Sequence, residues 1–277
     1  MSSKRKEPAA WKLIKYILSS TGKGAIEGIS IFKKKNKRET QEHYKEETTK
    51  FQVKRKNTNH TPVFEDLKIG KIILGDYNHF KKKLNDDSKI ILIFGKRGSG
   101  KSALGLRIME NIKAETNRDC YTLGIDERFL PLWINPINNI DKANIGSIIL
   151  VDEGAVSFNS RESMKETNKE LSKIMAIARH KNLTLLFITQ NTGMIDKNIL
   201  KLTDSLMIKE GSLLQQEMER PEIKKFYIKS KELLENVKEN KIKYFYLIDS
   251  DFEGLLEYSL PSFWTQELSK NKSSYSK

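Results

Sequence analysis

The 277-residue sequence contains a single cysteine, Cys120. One thiol excludes an intramolecular disulfide and any zinc site built from cysteines, and it fits a reducing, intracellular setting. Histidine is scarce as well: His43, His60, His79 and His180 stand apart and lack the close helical pairing of a metal site. No metal site is expected from protein groups alone. Long apolar runs are also missing. Those at 90–94 and 148–151 fall far short of the ~20 residues that span a bilayer, so no transmembrane segment is expected. Lys4-Arg5-Lys6 precedes a more apolar stretch at 11–18, but Lys12 and Lys15 interrupt it and no small-residue cleavage site follows, which argues against a secretory leader. The sequence has no internal repeat.

Positive charge, in contrast, is abundant. Lys and Arg number 50 against 36 Asp and Glu, a formal net charge of +14. Such a balance favours a polyanionic partner, nucleic acid first, and says nothing of fold. Residues 1–60 hold sixteen Lys/Arg against six Asp/Glu, or +10 of the +14. The basic runs at 33–35, 37–38 and 54–56 lie among polar residues that cannot bury enough surface to order firmly, so 1–60 reads as a basic arm. Within it Trp11, Ile14, Tyr16, Ile17 and Leu18 suit a short amphipathic helix with Lys12 and Lys15 on its other side. That helix would pack on the main domain or dock on a membrane or a partner protein such as a capsid protein.

The length allows one full α/β domain with extensions. Strand-like runs at 68–74 and 89–94 are followed by a glycine-rich loop, helical spacing over 103–112 (Leu104, Ile108, Met109, Ile112) and a further strand at 120–125. Strand, loop, helix, strand is a βαβ signature. The apolar run 147–152 ends in acid and suits a strand buried on both faces of a parallel sheet. Ser163 and Glu166 form a potential capping box for a helix to about Arg179, and Thr184–Thr189 reads as another central strand. A polar helical stretch at 229–241 and a strand at 244–248 follow, and 273–277 reads as a frayed tail. The expected architecture is α/β: a P-loop domain over 61–250 with a mainly parallel central sheet flanked by helices, the basic N-terminal extension 1–60, and a C-terminal extension over 251–277.

Gly95-Lys96-Arg97-Gly98-Ser99-Gly100-Lys101-Ser102 satisfies GxxxxGK[ST] at every fixed position, between an expected strand and an expected helix. Glycines let backbone N–H groups turn toward phosphates, the helix that continues through Ala103 directs its positive end at them, and Lys101 supplies a cation for β/γ oxygens. This points to ATP. Ser102 offers a hydroxyl to Mg2+, and Asp152, at the tip of the next acidic strand, suits its hydration shell; Glu153 is placed to orient or deprotonate an attacking water. Gln190 would lie beside the same phosphates if its strand neighbours that of Asp152, where an amide can sense a γ-phosphate or position water. Arg179 precedes that strand. Its guanidinium could serve a nucleotide held by an adjacent subunit, or form only a surface salt bridge, and Arg161 is a rival for the first role.

The block from Ala178 to Asn191, ARHKNLTLLFITQN, taken with GKRGSGKS and VDEG, resembles the FtsK/HerA superfamily of DNA-pumping ATPases. It is most similar to the Zot-like and archaeal viral or mobile-element members. The resemblance covers about residues 68–210, and the strand at 69–75 is similar to the one leading into HerA-type cores. It implies Arg179 as an arginine finger and Gln190 as the strand-terminal glutamine. It also implies a homo-oligomeric ring, commonly a hexamer, that threads duplex DNA by sequential ATP hydrolysis inside the host cell or in association with a virion. The sequence departs from the Zot pattern in lacking a membrane segment and in carrying the basic arm.

Overall fold

The computed structural model describes residues 60–152, 164–190, 192, 197–219, 221–238 and 240–270. The chain falls into two units, Met1–Lys54 and Arg55–Lys277, and all described residues belong to the second. The segment 11–18, Glu153, Arg161, Ser163 and Asn191 lie outside the described residues.

The described strands are β1 (Lys68–Gly75), β2 (Ile90–Phe94), β3 (Cys120–Leu123), β4 (Ile134–Pro136), β5 (Ile148–Asp152), β6 (Thr184–Thr189), β7 (Ser205–Ile208), β8 (Tyr244–Ile248) and β9 (Phe252–Glu257). They form one sheet in the order β1-β9-β8-β7-β2-β6-β5-β3-β4. From β7 to β4 every pairing is parallel, whereas β7, β8, β9 and β1 pair antiparallel. The helices are α1 (Tyr77–Asp86), α2 (Lys101–Glu115), α3 (Met164–His180), α4 (Lys197–Lys201), α5 (Leu213–Met218), α6 (Pro221–Glu235) and α7 (Gln266–Lys270). Among the described residues no helix is long and apolar enough to cross a membrane.

A strand alternates its side chains between two faces, and the core divides accordingly. Ile91, Ile93, Leu150, Leu186 and Ile188 face Leu104, Ile108 and Ile112 of α2. Ile90, Leu92, Phe94, Ile149, Val151, Leu185 and Phe187 face Leu171, Met175 and Ala178 of α3 and Ile223, Tyr227 and Leu234 of α6. Because both faces are covered, β2 and β6 are buried throughout, which explains their unbroken apolar sequences.

The helix that follows the glycine-rich loop is itself buried, from Lys101 to Ile112. Its outer side carries a charged pair rather than an exposed polar face. Arg107 and Glu110, 1% and 0% exposed, pair at 3.0 Å. Arg107 donates to the carbonyls of Val63, Ser259 and Leu260, and Glu110 accepts from the amides of Val63 and Ser262. Asn111 adds bonds to Glu65 N at 3.1 Å and Glu65 O at 2.8 Å. The segments that enter and leave the sheet are thus both tied to α2.

Strands expected at 68–74, 89–94, 120–125, 147–152, 184–189 and 244–248 are present with small shifts at their ends. The helix expected at 229–241 instead starts at Pro221, a residue suited to a first helical position, and ends at Glu235. The sheet also continues past residue 250, because Phe252–Glu257, taken from sequence as the start of an extension, is the strand β9 between β8 and β1.

Candidate functional site

In a parallel sheet the loops after the carboxyl ends of neighbouring strands gather along one edge. Here Phe94 of β2 pairs with Thr189 of β6, and Ile188 of β6 pairs with Asp152 of β5. The loop Gly95–Gly100, the half-exposed Asp152 and the exposed Gln190 therefore lie along the same edge, with β6 inserted between the other two strands. The condition attached to Gln190, a strand beside that of Asp152, is met. Glu153 follows Asp152 directly but lies outside the described residues.

The loop's shape requires its glycines. Gly100 has φ +89°, and a Cβ there would come within 2.5 Å of the Tyr258 hydroxyl oxygen; Gly95 has φ +151°, and its Cβ would meet Lys209 Cβ at 2.7 Å. Lys96 anchors the first turn, its amide donating to Glu210 O at 2.8 Å and its ammonium pairing with Glu210 at 2.7 Å. Lys101 is 6% exposed, and its Nζ donates to Gly95 O and Lys96 O, each at 2.9 Å, which carries the cation back across the loop.

Those residues fit a polyphosphate. Among the described residues the buried Ser99 hydroxyl has no hydrogen-bond partner, and apart from its own chain neighbours nothing lies within 4 Å of the Cβ position at Gly98, so the cradle holds both an orphaned hydroxyl and open space. The amino end of a fifteen-residue helix adds its partial positive charge, with Ser102 and Ala103 buried in its first turn and Arg97 exposed on the outer rim of the loop. Ser102 and Asp152 are of the types that hold a hydrated Mg2+, which would neutralise charge on the phosphate oxygens.

Arg179 is placed differently. It lies in the last turn of α3, before the amino end of β6, and so at the opposite edge of the sheet from the P-loop. The length of a six-residue strand, roughly 20 Å, separates the two edges. Arg179 Nη2 donates to Asp204 Oδ1 at 2.7 Å and to Leu202 O at 3.1 Å, an intrachain ion pair of the kind expected as its alternative role.

Several residues of this edge belong to no motif in the sequence. Lys209, just after β7, is fully buried; its Nζ donates to Ile242 O at 2.5 Å and Tyr244 O at 2.6 Å and lies 4.5 Å from the centre of the Tyr258 ring. Burial, reinforced by the charge of Lys101, holds its ammonium well below the ordinary lysine range, with Glu210 opposing. Gln215 of α5 donates to Gln190 O at 2.9 Å, and Ser212 and Gln215 close a capping box directly after Glu210, so one short segment touches both the P-loop and the end of β6. A lysine ending a short apolar run was the only legible trace of this arrangement.

No family model and no curated protein matches the chain. Among solved structures it is similar to the genome-packaging NTPase B204 of Sulfolobus turreted icosahedral virus 2 in complex with ATP-gammaS, at 17% identity over 62% of this chain and 98% of that one, with a TM-score of 0.39. It is also similar to the pCW3 conjugation coupling protein TcpA with ATPgS, at 12% identity over 79% of this chain and 72% of that one, TM-score 0.44. A third is EssC (ATPases 2 and 3) of Geobacillus thermodenitrificans, at 12% identity over 79% and 49%, TM-score 0.40.

Proposed function

We propose that this chain is an ATP-hydrolysing motor of a virus or mobile element that translocates DNA for packaging or transfer, working as a homo-oligomeric ring. The observation that carries this reading is the position of β6, paired in parallel with both β2 and β5 and ending in Gln190 on the P-loop edge. A strand inserted there ends beside the edge that carries the phosphate loop and the acidic strand, which supports Gln190 as the amide that registers a γ-phosphate. Gly95 to Ala103 hold the nucleotide, Ser102 and Asp152 carry its Mg2+, and Glu153 prepares the attacking water.

The ring is supported by the place of Arg179: a guanidinium at the far edge of its own sheet can neutralise a phosphoryl group only in a neighbouring subunit. DNA as partner is supported by charge, since residues 1–60 carry +10 of the net +14. The motor would act inside the host cell or in a virion.

The test is ATPase activity of the full chain with and without duplex DNA, together with its assembly size by light scattering. Stimulation by DNA in an assembly larger than a dimer is expected. Hydrolysis indifferent to DNA would favour the other reading, an ATPase switch or adaptor that docks on a membrane or partner protein through residues 11–18. Removing residues 1–60 should weaken DNA binding and flatten its log–log salt dependence by about 0.9 for each phosphate that the arm no longer neutralises.

A further inference from the structure

The last peptide of the P-loop is held by a side chain from the far end of the chain. Gly100 O accepts the amide of Leu104 at 2.9 Å, the first bond of α2, and also the hydroxyl of Tyr258 at 2.9 Å. Tyr258 follows β9 directly and is 2% exposed. Its ring stands edge-on to Phe245, with centroids 6.1 Å apart, and carries the Lys209 ammonium at 4.5 Å. Lys209 in turn holds the carbonyls of Ile242 and Tyr244, and Ile242 Cγ2 would stand 3.1 Å from a Cβ at Gly100. Tyr258, Lys209 and Ile242 thus form a rigid seat beneath one peptide, Gly100–Lys101, whose N–H belongs to the phosphate cradle.

Two donors on one carbonyl fix the plane of that peptide and polarise it, which makes its N–H a better donor on the opposite side. Burial pushes the Tyr258 phenol above the ordinary tyrosine range, which favours the protonated hydroxyl that donates to Gly100 O. The glycine supplies the room: any Cβ at position 100 would displace the phenol.

We infer that Tyr258 is a positioning residue of the phosphate cradle, its hydroxyl aiming the Lys101 N–H at the phosphate in the centre of the loop, so that the strand β9 and not the P-loop motif alone sets affinity for the polyphosphate. The inference rests on the nucleotide reading of the P-loop and concerns binding, not the chemical step.

The test is binding of ATP and of inorganic triphosphate to the full chain, with kcat at saturating ATP, in wild type and Tyr258→Phe. Loss of one hydrogen bond that acts through the cradle should weaken both ligands alike by about tenfold and leave kcat unchanged. A merely structural role would lower kcat as well. Affinities within twofold of wild type, or a loss for ATP that triphosphate does not share, overturn the inference while the nucleotide reading stands. Failure of the wild type to bind either ligand overturns both. If Tyr258→Phe does not fold, site-specific replacement of Tyr258 by fluorotyrosine keeps the ring and offers a stronger donor; it should bind both ligands at least as tightly as wild type, and weaker binding overturns the inference.

Discussion

The two edges of the sheet solve the problem of charge in opposite ways. At the amino edge, charged side chains are satisfied by the chain itself. Lys89 pairs with Asp249 at 2.8 Å with both side chains almost wholly buried. Asp204 accepts from Ile90 N at 2.7 Å and from Arg179, and Arg118 donates to Gly146 O, Ser147 O and Thr184 Oγ1. At the carboxyl edge the chain leaves a buried hydroxyl, Ser99, without a partner among the described residues, folds its glycines into positive φ, and buries Lys209, whose ammonium is depressed by that burial and then by the charge of Lys101. An edge whose charges are closed among themselves holds strands in register. An edge that gathers lysines and an unpartnered hydroxyl around open space suits an anion that arrives from outside, as the proposed function requires.

The largest effect tests whether Arg179 belongs to the first edge or, through a neighbour, to the second. As a finger acting in trans, Arg179→Ala should keep ATP binding and assembly and lose turnover by about 10³-fold or more. Asp204→Asn, which removes the charge of its intrachain ion-pair partner and leaves Leu202 O in place, should leave turnover within a fewfold of wild type. Mixing Arg179→Ala with Lys101→Ala subunits should restore some ATPase activity, since an intact P-loop then meets an intact Arg179 across an interface. Equal, small losses of stability in Arg179→Ala and Asp204→Asn, with turnover preserved, would return Arg179 to the closed amino edge.

A smaller pair of effects sharpens the same contrast. Lys89→Met removes one partner of a buried ion pair and should cost about 3 kcal/mol in urea unfolding, with ATP affinity unchanged. Lys101→Met should do the reverse, lowering ATP affinity on the order of 10²-fold with a smaller loss of stability, because on the proposed reading its charge serves phosphate. Both measurements on both variants are needed: a Lys101 variant that unfolds as readily as the Lys89 variant would erase the distinction between the edges.

The two edges were also unequally legible. The phosphate loop is encoded locally, since glycines at 95, 98 and 100 sit where φ is positive and the spacing is diagnostic by itself. The strands β2, β5 and β6 were legible because helices cover both faces and leave continuous apolar runs. The seat under the loop was not, because its logic is tertiary. β7 is only four residues long, and its flanks, Asp204 and Lys209, read as surface charges until Ile90 N and the carbonyls of Ile242 and Tyr244 are brought to them. β9 fell within the expected C-terminal extension, its apolar run broken by Glu253 and Gly254. In the fold Glu253 pairs with Lys229, and a Cβ at Gly254 would lie 2.5 Å from Lys71 O, so the glycine permits the approach of β1.

The smallest effect sought is a slope rather than a loss, and it concerns Lys209, the one fully buried ammonium of the carboxyl edge among the described lysines. Lys101, Glu210 and the Tyr258 ring face it, and burial with the charge of Lys101 holds its folded value well below the ordinary lysine range. The unfolded chain therefore binds more protons than the folded one between that depressed value and about pH 10.4, and stability contributed by this group rises with pH across the window. Lys209→Met keeps the length of the side chain and cannot titrate; the two carbonyls it abandons impose a cost that does not depend on pH. The stability of wild type relative to Lys209→Met should therefore increase as pH is raised from 7 to 10, while the buried tyrosines, common to both proteins, cancel in the difference. Urea unfolding at intervals across that range measures it. A difference that stays flat or falls with pH would mean that Lys209 carries an ordinary, stabilised charge, neutralised by its surroundings rather than depressed by burial and by Lys101.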